Sequence, residues 1–202
     1  MTISTPARAL DDVRTDLRTT AEAGVAAALR LVGDDPTRDG LEKTAARWVR
    51  ALEDLCTPPG PTPAEALAVK FPAGAVDQMV AVGPLPFTSL CEHHLMTITG
   101  RAWIAYLPHD GQVVGLSKIP RVLDWVAARP QLQERMTQEV VQSLVDHNGP
   151  DAACVIEAAH GCMSSRGVKK SGAVMRTQAL AGRFLENAPT RAEFLTMIGP
   201  MG

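Results

Sequence analysis

"DQMVAVGPLPFTSL" (77–90) and "MTITGRAWIAYLP" (96–108) are the stretches on which the fold turns. Both are rich in β-branched and aromatic residues and alternate in part, which argues strand rather than helix. "HDGQ" (109–112) offers a turn before "VVGLS". Two helical segments follow. The first covers 118–128, with Pro120 in its first turn. The second covers 130–147, opens with Pro130, and sets Leu132, Met136, Val140, Val141 and Leu144 on one face. "AACVIEAAH" (152–160) and "GAVMRTQAL" (172–180) are again strand-like. The order β-β-α-α-β-β predicts an α+β domain, an antiparallel sheet with helices on one face.

Working outward, residues 6–32 read as a long helix closed near Gly33, and "DDPTRDG" (34–40) as a loop. Residues 41–55 form a second helix with Leu41, Ala45, Trp48, Leu52 and Leu55 on its apolar face. "TPPGPTP" (57–63) stops helix and sheet alike, so the chain divides into an N-terminal helical region, 1–63, and a main domain, 64–202. A short helix is expected around 63–69, and "PTRAEFLTMIG" near the C-terminus reads as helical.

With 202 residues, 46% of them hydrophobic, the chain can build a substantial core. A formal charge of -2 argues against a dedicated nucleic-acid binder, without excluding a local basic pocket. No stretch approaches membrane-spanning length, and charges throughout the first thirty residues argue against a signal peptide. The expectation is a cytoplasmic protein with reduced thiols. Cys56, Cys91, Cys154 and Cys162 are then core residues or metal ligands rather than disulfides.

The chemistry concentrates in four places. "SLCEHHLM" (89–96) holds Cys91, Glu92, His93 and His94 in consecutive positions. A turn can bring Cys-x-x-His onto one metal, and zinc accepts both sulfur and nitrogen. A buried thiol beside loop histidines is the plainer alternative. "EAAHGCMSSRG" (157–167) offers His160, Cys162 and Arg166 after a strand. A third ligand from there would leave a fourth position open, the catalytic arrangement. "GLSKIPR" (115–121) gathers Ser117, Lys118 and Arg121 at a helix start, a setting for phosphate or simply an ordinary N-cap. "PQLQERMT" (130–137) places Gln133 and Glu134 in a first helical turn, where the dipole also favours a carboxylate.

In this order, CEHHL, GLSKIPR, QLQER and HGCMSSRGV resemble the GTP cyclohydrolase I family, from about Phe87 to Phe184. "DDPTRDGLEKTAARW" (34–48) resembles that family's more variable helical region. The resemblance implies the tunnelling fold, four antiparallel strands with two helices, assembled as a homo-oligomer, typically a decamer, with active sites between subunits. It implies Zn2+ held by Cys91, His94 and Cys162. His93 would stand beside the metal for proton transfer, and His160 would protonate the purine imidazole. Gln133 and Glu134 would face the guanine of GTP. Lys118, Arg121 and Arg166, joined by Arg47, would hold the triphosphate, and Ser117 would serve the later sugar rearrangement. The product would be 7,8-dihydroneopterin triphosphate, with release of formate.

The chain departs from the family pattern at Met96–Ile98, at Trp103, and at Ala173, Val174, Met175 and Arg176. Those departures admit a paralogue that uses another purine nucleotide or stops at ring opening. A nitrile reductase on the same scaffold is disfavoured by CEHH with a partner HGC. A structural-zinc assembly module, the non-enzymatic reading, requires a closed four-ligand site and no affinity for GTP.

Overall fold

The computed structural model describes residues 7–199. The chain divides into two compact units, Met1–Asp54 and Leu55–Gly202.

The first unit contains α1 (Ala7–Leu31) and most of α2 (Thr44–Cys56). Gly33 ends α1 in the left-handed region, with φ +86°, as the sequence suggests. In the loop beyond, Asp34 accepts two bonds from the Arg38 guanidinium, at 2.7 and 2.9 Å. Leu41–Lys43 form a turn, so α2 starts three residues later than the apolar pattern predicts. Its buried residue is Val49, and Trp48 is 44% exposed. Ala45, Val49, Leu52 and Cys56 make the stripe at spacings of three and four, and Trp48 lies about 100° round the helix from Val49. Glu53 accepts from Arg18 Nε at 2.8 and 3.0 Å, tying α2 to α1.

In the second unit, α3 (Pro63–Leu67) is capped reciprocally: Glu65 N donates to Thr62 Oγ1, and the Glu65 carboxylate accepts from Thr62 N. Then come β1 (Lys70–Pro72), β2 (Val80–Cys91), β3 (Thr97–Tyr106) and β4 (Gln112–Val114). They are followed by α4 (Lys118–Ala127), β5 (Pro130–Gln131), α5 (Gln133–Asn148), β6 (Ala152–His160), α6 (Gly161–Ser164), β7 (Met175–Ala181), α7 (Arg183–Glu186) and α8 (Ala188–Met197). The main sheet has the order β5-β2-β3-β6-β7, and β1 and β4 form a separate antiparallel pair.

The expected antiparallel set β2-β3-β6-β7 is present, but a fifth strand adds to it. Pro130 and Gln131 pair in parallel with Leu90 and Cys91, so Pro130 is not in a helix and α5 begins at Gln133. Proline has no N–H to donate, which suits this edge position. The third departure is in β2, whose register shifts between Val82 and Leu85. Gly83 lies there at φ +158°, and a Cβ on it would come within 2.5 Å of the Trp103 ring.

One sheet face carries Phe87, Ile98, Ile104, Tyr106 and Ile156 against Ile119, Leu123 and Val126 of α4 and Met136, Val140 and Leu144 of α5. Fully burying a side chain of this size contributes about 1.5–3 kcal/mol. The opposite face is covered in part, with Trp103, Ala105 and Val155 packed by Phe184 of α7 and Phe194 of α8. Helices therefore lie on both faces rather than one. That explains why "WIAYL" loses its alternation: both sides of β3 are apolar. Gly100 lets β3 approach β6 closely, since a Cβ there would stand 2.1 Å from the Glu157 carbonyl oxygen.

Where α7 and α8 leave the second face open, Arg101, Glu157 and Arg176 stand opposite one another on three strands. Glu157 accepts from Arg101 at 2.8 Å and from Arg176 at 2.7 Å, and Arg101 sits 5.5 Å over the Trp103 ring. Arg101 and then Arg176 hold the Glu157 carboxyl below its ordinary range. A depressed folded-state pKa stabilises the fold above the unfolded value of about 4.3, and that contribution is lost as pH falls through the depressed value. Glu157→Gln is therefore expected to destabilise by about 1–2 kcal/mol at neutral pH. Urea midpoints of variant and parent should converge as pH drops below about 4. An equal gap at both pH values would mean that the carboxylate's charge is not what stabilises this face.

Candidate active site and metal-ligand group

β2 ends at Cys91, whose amide donates to Met96 O at 2.7 Å, while Leu95 N returns to Cys91 O at 2.8 Å. Leu95 takes a left-handed φ of +52° to close this turn. The result buries Cys91 and exposes Glu92, His93 and His94. The two imidazoles meet edge-to-face at 6.3 Å. From the other side, Glu92 N donates to Gln131 O at 3.1 Å. Gln131 is itself buried: its Nε2 donates to Val126 O at 3.0 Å and its Oε1 accepts from Arg135 Nε at 3.1 Å. Arg135 also pairs with the Glu92 carboxylate. The motif turn is thereby clamped to the start of α5.

β6 runs antiparallel to β3 in unbroken register, so His160 lies opposite Ile98, beside the same turn. Gly161 then passes close under Met96 and Thr97, where a Cβ would stand 3.3 Å from Met96 Cβ and from Thr97 O. The single turn α6 follows and presents Cys162. Its sulfur is 3.8 Å from that of Cys91. The donor atoms of Cys91, Cys162 and His160 all lie within 4.8 Å of one another. Two soft sulfurs and an imidazole form a donor set suited to a metal ion. Burial pushes the Cys162 thiol up, as do its hydrogen bond to Cys91 and that neighbour's charge; Arg166 opposes them. A cation among these atoms would favour the thiolate.

His94 stands elsewhere in this arrangement. Its Nε2 is 2.7 Å from Arg166 Nη1, so of the resemblance's three ligands only the two cysteines fall in the close group. His160 takes the third place. Its pKa is lowered by burial, against the opposing charge of Glu134. His160 Nε2 is 2.8 Å from Gln133 Oε1. Gln133 is fully buried, while Glu134, next in α5, is exposed.

Of the phosphate-type residues, Arg166 stands beside His94, whereas Ser117 and Lys118 lie apart. Ser117 precedes α4 without a side-chain capping bond, so its hydroxyl does not cap the helix. Ser117 and Lys118 line an apolar-walled groove with Phe71, Val82 and Leu85. Leu85 is six residues back along β2 from Cys91, about 20 Å at strand rise. Arg121 is exposed on α4, and Arg47 is exposed on α2 in the N-terminal unit. Within one chain, then, the fold gathers Cys91, His94, His160, Cys162, Gln133, Glu134 and Arg166. It does not bring Ser117 and Lys118 to them. Residues that motif reading passes over are Arg135, Thr137 and Thr177, because they are ordinary polar positions whose partners lie far away in sequence.

A family model described as GTP cyclohydrolase I matches residues 21–199. The GTP cyclohydrolase 1 of Mycobacterium ulcerans is 42% identical over 199 residues, covering 98% of this chain and 95% of that protein. That of Halalkalibacterium halodurans is 42% identical over 178 residues, 88% of this chain and 94% of that protein. The Carboxydothermus hydrogenoformans protein of the same name is 41% identical over 179 residues, 88% and 93% of the respective chains. Similarity of this extent, over a chain whose close thiols and imidazole can hold a metal ion, makes it a member of the GTP cyclohydrolase I family.

Proposed function

We propose that this protein hydrolyses GTP at C8, releases formate and recloses the product as 7,8-dihydroneopterin triphosphate. Family membership supports the reaction, and the observation that carries it is the close group of Cys91, Cys162 and His160 at the end of the sheet. We take the fold to be the tunnelling fold and the enzyme to be a cytoplasmic homo-oligomer, a decamer by family resemblance.

Two thiols and an imidazole suit Zn2+; by the family resemblance its ligands would be Cys91, Cys162 and His94, the last of which meets Arg166 in this structure. When bound, zinc supplies Lewis acidity for hydrolysis. The protein's own groups do the rest. His160 gives a proton to the imidazole nitrogen next to C8, and His93 moves a proton beside the metal site. The exposed carboxylate of Glu134 accepts from the guanine N1–H and N2–H donors. Lys118, Arg121, Arg166 and Arg47 bind the triphosphate through charge-assisted bonds. Ser117 takes part in the sugar rearrangement. Its groove lies about 20 Å along β2 from Cys91, which fits a site completed by Ser117 and Lys118 of a second subunit.

Incubating the zinc-loaded protein with GTP and measuring formate and fluorescent oxidised neopterin from one reaction tests the proposal. Equal yields are expected. Formate without neopterin would identify a ring-opening paralogue, and neither product would remove GTP as substrate.

The ligand set has its own test. His94→Ala is expected to lose zinc, whereas His160→Ala should keep zinc and lose turnover by about 10²–10⁴-fold, the range for a proton-transfer group. Zinc retained in His94→Ala and lost in His160→Ala would put His160 in the ligand set instead.

For guanine recognition, Glu134→Ala should weaken GTP far more than ITP, which lacks the exocyclic amine. Leaving buried donors unpaired costs about 1–3 kcal/mol. An unchanged GTP/ITP preference would exclude Glu134 from that contact.

A further inference from the structure

Gln133 is fully buried where α5 meets the β6–β7 edge, and both ends of its carboxamide are hydrogen-bonded within the protein. Its Nε2 lies 3.2 Å from Ile156 O, 3.1 Å from Met175 O and 3.1 Å from Thr177 Oγ1. The two carbonyls can only accept, so the end of the amide facing them must be the NH2. The hydroxyl agrees. Thr137 Oγ1 donates its one proton to Gln133 O at 2.7 Å. The 2.6 Å contact between Thr137 and Thr177 must then be donated by Thr177. Thr177 has no second proton, so it accepts from Gln133.

Every direction in this network is therefore set, and the remaining end of the amide, Oε1, faces His160 Nε2 at 2.8 Å. An amide oxygen only accepts. We propose that Gln133, locked by Thr137 and Thr177, is a positioning residue that keeps a proton on Nε2 of His160, so that any proton His160 exchanges with substrate passes through Nδ1. This rests on the reading of His160 as the proton-transfer residue. It gives Gln133 a task distinct from that of Glu134: Gln133 acts through His160 and not on the guanine. The constraint matters because a neutral imidazole has two tautomers, and only the one with Nδ1 unprotonated can take a proton there.

Nitrogen-15 solid-state NMR of the histidine-labelled, zinc-loaded protein reads the tautomer directly, with the His160 signals identified by their loss in His160→Asn. At about pH 8, above the ordinary imidazole pKa, the expected result is a single form with a pyrrole-type Nε2 and a pyridine-type Nδ1. A pyridine-type Nε2 in the parent protein would overturn the proposal whatever the enzyme's substrate proves to be. Gln133→Met removes the acceptor at similar volume. It should give mixed tautomers and lower kcat on GTP by about tenfold or more, with KM within about twofold; this stays short of losing the proton-transfer group altogether. A raised KM with kcat and tautomer unchanged would make Gln133 a substrate contact and sink the idea. Should that variant fail to fold, Thr177→Val is expected to give a smaller loss in kcat alone, restored by Thr177→Ser. Equal kcat in both Thr177 variants would also count against it.

Discussion

The pairing of β3 with β6 is the constraint on which both the core and the site depend. It runs from Ile98 opposite His160 to Tyr106 opposite Ala152 without a break, and Gly100 allows the two strands to close on each other. Because side chains alternate, a slip of β6 by one residue would turn His160 to the other face and move Ile156 out of the core beneath α4 and α5. The same register fixes where β6 ends, and so where Cys162 emerges relative to the Cys91 turn. The geometry of the donor group is a consequence of strand registration, reinforced by packing on both faces of the sheet.

A second layer of constraint is polar. Gln131 and Gln133 are two residues apart and both fully buried, one on each side of the β5–α5 junction. Gln131 holds the Cys91 turn through Arg135 and Glu92, and Gln133 holds His160. Both have every polar side-chain atom bonded, as do all buried side-chain polar atoms among the described residues. A fully satisfied network in a low-dielectric setting is directional as well as cohesive, because an alternative arrangement would leave a donor or acceptor unpaired. Such rigidity suits a site whose chemistry depends on which atom carries a proton.

Much of this was legible in the sequence, and the reasons differ by element. The strands of 80–91, 97–106 and 152–160 and the two helices between them follow from apolar periodicity, which burial on the sheet then honours. Cys91 and Cys162 stand out because sulfur near histidine is chemically distinctive wherever it occurs. Pro130 misled, since a proline before an apolar helix resembles a first-turn residue, and only pairing with Leu90, forty residues away, makes it a strand. Trp48 misled for a related reason: hydrophobicity alone does not say which side of a stripe a residue falls on. Thr137 and Thr177 carry no local signal, because their role exists only once α5 lies against β7.

The departures from the family pattern become intelligible by face. Arg176 alternates with Thr177 along β7. Thr177 turns toward Gln133, and Arg176 turns away, to Glu157 and the side where Arg101 covers Trp103. Two of the unusual residues, Trp103 and Arg176, thus belong to one cationic–aromatic assembly on the sheet face opposite α4 and α5. They are separated from the cysteines and His160 by the sheet itself. Met175 differs, since it lends its carbonyl to Gln133, but a backbone acceptor is indifferent to the side chain that bears it. Trp103 and Arg176 therefore alter the far side of the sheet, while Met175, on the same face as Thr177, meets Gln133 through its carbonyl, so the hydrogen-bonding partners of His160 stay in place. What bears on the chemistry at this end of β7 is the backbone of residue 175 and the hydroxyl of residue 177.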